Sequence, residues 1–122
     1  VPFRDEDALQ AAVEKRLKRE FPGIWVFHPV GGMYQKPGIP DLLICWQGLF
    51  VAVELKNPHP GESDLAARER TSTLQRKEIR AINGAGGVAR TAITVDEAVA
   101  AVRAAVQQAE ARARATGGPS GP

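Results

Sequence analysis

Two acids and an amine stand out because of where they fall. Asp41 follows Pro40 at the start of the apolar run Leu42–Trp46, and Glu54-Leu55-Lys56 closes a second apolar run, Leu49–Leu55. Only Gln47-Gly48 separates the runs. Side chains two apart on a strand project to the same face about 7 Å apart, so Glu54 and Lys56 point together. If the runs pair through the short turn, Asp41 comes alongside Glu54. Paired carboxylates are hard oxygen ligands of the kind Mg²⁺ or Mn²⁺ takes, and Leu55 between Glu54 and Lys56 can add a backbone carbonyl. An ion held there would polarise a phosphoryl oxygen and acidify a bound water. Lys56 would orient that water or stabilise charge building on the phosphate, acting by position and electrostatics rather than as a free amine base. The reaction class implied is metal-assisted hydrolysis of a phosphodiester. Zinc fits less well, because Cys45 is the single thiol and His28 and His59 lack ligand-like spacing. The competing reading is structural: a hairpin with charged ends, whose Glu54–Lys56 ion pair contributes under about 1 kcal/mol.

The elements that must position these groups follow from periodicity. Asp5 to Glu20 reads as a helix with Leu9, Val13, Leu17 and then Phe21 recurring on one stripe, capped by Asp5 and ended by Pro22-Gly23. Glu6 sits on or near that stripe, where a carboxylate is costly unless paired. It also suits an exposed first turn, favoured by the helix dipole. Ile24–Val30 reads as a strand. The connection Gly31–Gly38 is too short for a crossover helix, so the next strand is antiparallel to it. Residues 57–70 are polar and interrupted by Pro58, Pro60 and Gly61; a loop of this length in a compact domain is functional or disordered. A helix follows the potential caps in Thr71-Ser72-Thr73, with Leu74, Ile79 and Ile82 on its apolar side, and ends at Gly84, Gly86 and Gly87. Val88–Ala92 is a short strand. Thr94 and Glu97 have the spacing of a capping box, and Val95, Val99, Val102 and Val106 form the stripe of a last helix that frays near Arg114. The predicted order is αβββαβα, an α/β domain over residues 1–115 with a flexible Gly/Pro tail, 116–122.

Composition agrees with one soluble domain. The chain has 122 residues, 43% hydrophobic and 25% charged, enough for one core. No apolar run approaches the roughly 18 residues of a membrane span, and Val1–Asp5 lacks the pattern of a signal peptide. Cys45, alone inside an apolar run, reads as a buried small residue in a reducing, cytoplasmic setting. The net charge of +2 permits nucleic acid without requiring it. Basic residues cluster at Lys15, Arg16, Lys18 and Arg19, and again at Arg68, Arg70, Arg76, Lys77 and Arg80. Such clusters are either solvated helix faces or contacts to phosphate.

Pro40-Asp41 followed by Glu54-Leu55-Lys56 resembles the PD-(D/E)xK nuclease signature. Gly38-Ile39-Pro40-Asp41 is similar to the "G-x-P-D" of its VRR-NUC branch, Ser72-Thr73-Leu74-Gln75 to the branch's "S-x-x-Q", and Glu6 with Leu9-Gln10 to its acidic first-helix motif. The branch also resembles archaeal Holliday-junction resolvases, and the likeness runs from about Glu6 to Val102. It implies a restriction-endonuclease-like αβββαβ core with a mixed central sheet flanked by helices, plus a C-terminal helix. It implies that Asp41, Glu54, the Leu55 carbonyl and Glu6, directly or through water, hold Mg²⁺ or Mn²⁺. Lys56 would be catalytic, and Gln75 would set the water or Lys56; without the resemblance Gln75 is a surface glutamine. The implied activity is a metal-dependent DNA endonuclease selective for branched DNA such as Holliday junctions or flaps. It would act as a homodimer, away from membranes, in the cytoplasm of a bacterial or phage-infected cell. Lys36, Arg68, Arg70 and Arg76 are candidates for contacts to the DNA backbone. His59 reads as an exposed loop residue. The competing function is a non-catalytic DNA-binding module on the same fold; a sequence-specific restriction enzyme fits less well, for want of a recognition subdomain.

Overall fold

A computed structural model describes residues 2–30 and 36–117. Its elements are α1 (Glu6–Glu20), β1 (Trp25–Phe27), β2 (Leu42–Trp46), β3 (Leu49–Leu55), α2 (Asp64–Glu69), α3 (Thr73–Gly84), β4 (Val88–Ala92) and α4 (Val95–Ala115). The four strands form one sheet in the order β1-β2-β3-β4. β1–β2 and β2–β3 are antiparallel and β3–β4 is parallel, the mixed sheet flanked by helices that the sequence implies. Most of the glycine-rich connection (31–35) and most of the expected tail (118–122) lie outside the described residues.

The central hairpin is set by its turn. Gln47 and Gly48 both have positive φ, +51° and +79°, the left-handed pair of a type I′ turn, whose twist matches that of the strands it joins. The register then runs from Trp46 opposite Leu49 to Leu42 opposite Val53. Alternation divides the hairpin into two faces. Leu42, Ile44, Val51, Val53 and Leu55 face one way and form the core with Leu9, Val13 and Leu17 of α1, its C-cap Phe21, and the small residues Ala98, Ala101 and Ala105 of α4. Leu43, Cys45, Phe50, Ala52 and Glu54 face the other way. There α3 covers β3 and β4 and leaves the β1–β2 half bare: Trp25 is 53% exposed and Phe27 49%, their rings stacked at 5.8 Å.

Several expectations need correction. Cys45 is exposed, not buried, because it lies on this bare half. The strand expected over Ile24–Val30 pairs only across Trp25–Phe27. Residues 57–70 are not wholly loop: Ser63 accepts a hydrogen bond from Ala66 N and caps α2, whose Ala67 is buried. Helix α3 turns Gln75, Glu78 and Ile82 inward, three and four residues apart as helical geometry requires. Leu74 is therefore 50% exposed while Glu78 is buried and paired with Lys36 at 3.1 Å. At α4, Thr94 accepts from Glu97 N as expected, but the Glu97 carboxylate reaches back to Ile93 N and across to Arg68 instead of closing a capping box.

Gly38 shows why the chain needs glycine ahead of Pro40-Asp41. Its φ is +86°, and a Cβ there would lie 2.5 Å from the Leu74 carbonyl oxygen in the first turn of α3. The segment leading to Asp41 is thus pressed against the helix that carries Gln75. Replacing Gly38 by Ala adds both a clash and backbone strain, so Gly38→Ala is expected to destabilise the fold by about 2 kcal/mol or more. Urea denaturation measures this, and a neutral result would contradict the close packing of this segment on α3.

Candidate active site

The hairpin register brings Asp41 level with Glu54, one pair beyond Leu42 and Val53. The next pair outward is Pro40 opposite Leu55, and there the ladder stops for a chemical reason. Proline has no N–H to give the Leu55 carbonyl. The Leu55 N–H is taken by the Asp41 side chain instead, at 2.7 Å from Oδ2. A strand residue's N–H and C=O point to the same edge, so the Leu55 carbonyl opens toward Asp41. Proline followed by aspartate therefore both ends the strand pair and leaves an oxygen beside a carboxylate.

Glu54 is 2% exposed. Its Oε2 accepts from Gln75 Nε2 at 2.8 Å and from the Lys56 ammonium at 3.2 Å. Its Oε1 is buried and has no hydrogen-bond partner among the described residues, an uncommon and costly state for a carboxylate oxygen. Gln75 is aimed by the helix start itself. Ser72 Oγ accepts from Gln75 N at 3.1 Å, and Gln75 Oε1 accepts from Ser72 N at 2.8 Å, a complete capping box. With its oxygen committed to Ser72, the amide can present only its NH₂ to Glu54. The "S-x-x-Q" pattern thus caps α3 and reaches the site with one side chain.

Burial raises the Glu54 pKa from its usual 4.5 to about 7, helped by the neighbouring Asp41 charge and partly offset by Lys56. Burial also raises that of Asp41, with the charge of Glu6 adding to it, while the Leu55 N–H works the other way. A buried and a half-buried carboxylate facing each other hold a proton unless a cation replaces it. The donor set fits a hard dication: two carboxylates, one with a buried unpaired oxygen, and a carbonyl opposite a proline. Asp41, Glu54 and Leu55 would hold such an ion.

Glu6 arrives from the other layer. Its helix packs on the opposite face, and its first turn reaches the end of the sheet. Its carboxylate is half-exposed and paired with Arg70 at 3.2 Å. Among the described residues no three His, Cys, Asp or Glu side chains gather closely enough to hold an ion, so Glu6 stands apart from the Asp41–Glu54 pair while its charge is still felt by Asp41. Arg70 is also bound to Glu62 at 2.9 Å and to the Asn57 carbonyl at 2.7 Å. Lys36 is taken by Glu78, and Arg68 by Glu97 at 2.9 Å. Arg76 donates to the Thr71 and Glu69 carbonyls at the end of α2. The structure brings Asp41, Glu54, Leu55, Lys56 and Gln75 together, and engages the four candidate DNA contacts within the fold.

Three neighbours escaped the sequence reading. His28 Nδ1–H donates to the Asp41 carbonyl at 2.8 Å. Asn57, directly after Lys56, is buried and bound on both sides of its amide to the backbone of Phe3. Thr91 of β4 stands level with Glu54 and hydrogen-bonds Thr71 at 3.0 Å. Only the polarity of a residue within or beside an apolar strand hints at them, and that signal is weak without a fold.

The pKa shifts predict an inverted pH dependence for the metal-free protein. Between pH 4.5 and about 7 the folded chain keeps a proton on Glu54 that the unfolded chain has released. Stability is therefore full below 4.5 and falls as pH rises through this window, by about 3 kcal/mol. Urea denaturation from pH 4.5 to 7.5 in chelator should show that fall. Glu54→Gln should flatten it, and Mn²⁺ should restore the wild-type protein near pH 7. An unchanged slope in Glu54→Gln would show that Glu54 is not the titrating group.

No family model matches the chain and no curated protein is similar to it in sequence. Solved structures are similar in fold. One described as a "VRR_NUC domain protein" superposes with a TM-score of 0.65 at 21% identity, over 88% of this chain and 92% of the other. A second, described as "VRR_NUC domain", gives 0.56 at 18% identity, over 80% of this chain and 94% of the other. The chain has the fold of VRR_NUC domains.

Proposed function

We propose that this protein is an Mg²⁺- or Mn²⁺-dependent DNA endonuclease that hydrolyses phosphodiester bonds, selective for branched DNA such as Holliday junctions or flaps, in the cytoplasm of a bacterial or phage-infected cell. One observation carries the reading: a buried carboxylate, Glu54, one of whose oxygens has no hydrogen-bond partner among the described residues, sits beside Asp41 and Lys56 where the strand ladder is terminated by proline. A stable core gains nothing from that arrangement. A dication bound there would polarise a phosphoryl oxygen and acidify a water.

The chain's own residues do the rest. Gln75 fixes the Glu54 carboxylate, so that Oε1 faces the site. Lys56, mostly buried and held against Glu54 Oε2, offers its ammonium to the attacking water and to charge growing on the phosphate. Asp41 is locked by the Leu55 N–H and needs no reorganisation when the substrate arrives. Glu6 stands at the rim, paired with Arg70, its charge felt by Asp41. A domain of this size has little surface for base readout, which favours recognition of DNA shape through backbone contacts.

Symmetric cleavage of a four-way junction needs two active sites, so the proposal includes a homodimer. The bare half of the sheet supports a second copy as its partner. Trp25 and Phe27 there, with Phe50 beside them at the start of β3, are each about half exposed, roughly 300 Å² of aromatic surface taking each ring at its usual buried size. A stable interface buries about 800 Å² per partner around an apolar centre. The same face runs along β3 from Phe50 through Ala52 to Glu54, so a partner docked there would lie near the site.

Two measurements test these statements. Asp41→Ala and Lys56→Ala should each lower cleavage by roughly 10³-fold with an intact circular dichroism spectrum. The panel comprises Holliday junctions, flaps, splayed arms and duplexes, with Mg²⁺ or Mn²⁺ and with chelator. Wild-type rates in either variant would refute the site, and binding without cleavage on every substrate would favour the non-catalytic module. Sedimentation should give a dimer for the wild type and a monomer for Phe27→Glu; a monomeric wild type would dismiss the docking face.

A further inference from the structure

β4 closes the sheet as an edge strand, and arginines from three elements line it: Arg90 from β4 itself, Arg68 from α2, and Arg76 with Arg80 from consecutive turns of α3. Two shallow depressions meet at this edge. One, on the α3 side, holds Arg76 and Arg80; the other, on the α4 side of the edge, holds Arg90 beside Glu97 and Ala100; both are bounded by Arg68 and Thr91. In sequence Arg90 belongs to neither basic cluster; the parallel pairing of β4 with β3 delivers it.

The charges here are unevenly compensated. Arg68 is matched by Glu97. Arg76 is held by backbone carbonyls, which position its guanidinium without neutralising it. Arg80 and Arg90 are exposed and have no acidic partner among the described residues. The edge also adjoins the carboxylate pair. Thr91 is the register partner of Glu54, one strand away at about 4.8 Å, on the same face, and its hydroxyl meets that of Thr71 just before the cap of α3.

Resting on the nuclease reading, we propose that this arginine-lined edge is the track along which the DNA backbone leaves the metal site. The phosphate next to the scissile bond passes the Thr71–Thr91 hydroxyls beneath Arg76, and the following phosphates lie against Arg80 and Arg90. Guanidinium forks suit phosphate oxygens. On the β2 side the site is flanked by Pro40 and the Asp41 carboxylate, so the β4 edge is the basic way out. The plainer account is that charge guards an exposed strand edge against pairing with other chains.

Salt dependence separates the two. Binding of a labelled Holliday junction and a labelled duplex is measured by anisotropy in chelator, over a series of salt concentrations. Each phosphate contact adds about 0.9 to the slope of log affinity against log salt. Arg80→Gln with Arg90→Gln should lower the slope by about 2 and weaken binding roughly tenfold, while Arg80→Lys with Arg90→Lys should keep most of the slope. Lys15→Gln with Lys18→Gln removes equal charge from α1 as a control and should leave the slope alone. An unchanged slope in the glutamine pair, with or without new self-association, overturns the track, as does an equal loss in the control. A wild type that cleaves DNA while the glutamine pair keeps its slope sinks the track alone; a wild type that neither binds nor cleaves removes the nuclease reading and the track with it.

Discussion

The pairing of β2 with β3 decides where Asp41, Glu54 and Lys56 stand relative to one another. A two-residue turn with both residues in the left-handed region sets the register, and the register places Asp41 level with Glu54. Strand side chains alternate, so a slip of one residue would send one carboxylate to the core side and the other to the α3 side. Pro40 then ends the ladder at the position where a continued pair would have consumed the Leu55 backbone. What is left at that end is a concentration of oxygen atoms where the central strand ladder stops.

Holding those oxygens together costs stability, and the surrounding structure offsets the cost. Glu54 is buried against its ordinary preference and is steadied by Gln75 and Lys56. Gln75 owes its aim to the cap of α3, and α3 owes its place to Gly38, which lets the chain ahead of Asp41 lie against its first turn. Below the site, Asn57 ties the end of β3 to Phe3, and Arg70 ties the end of α2 to Glu6 and Glu62. The strain is local, and the sheet and its two packed helices on the far face supply the stability that allows it.

The two faces of the sheet are used differently. One is a closed core of aliphatic side chains and alanines between the sheet and the helices α1 and α4. The other carries α3 over half its width, exposed aromatic rings over the rest, and arginines along its β4 border. The carboxylate pair sits where the covered and bare halves meet the end of the strands, with Glu54 buried and Asp41 half-buried.

Much of this was legible in the residues alone. Local pattern determined the helices and strands, since apolar spacing and capping residues act over a few positions. It also determined the hairpin, because two runs joined by Gln47-Gly48 have few ways to pair, and with it the meeting of Asp41 and Glu54. Other features depend on contacts distant in the chain. Residues 57–70 hold a helix whose one buried residue is Ala67, too little apolar pattern to announce itself. Cys45 is exposed because α3 covers only part of that sheet face, and Leu74 because α3 turns Gln75, Glu78 and Ile82 inward instead; no local spacing encodes how a neighbour packs. Arg68 and Arg70 look free for DNA until Glu97, Glu6 and Glu62 are seen beside them, and Arg90 joins the basic edge only through the parallel β3–β4 pairing. Residue types and short spacings set which groups could do chemistry; long-range packing decided which charges were already answered and which were left facing solvent.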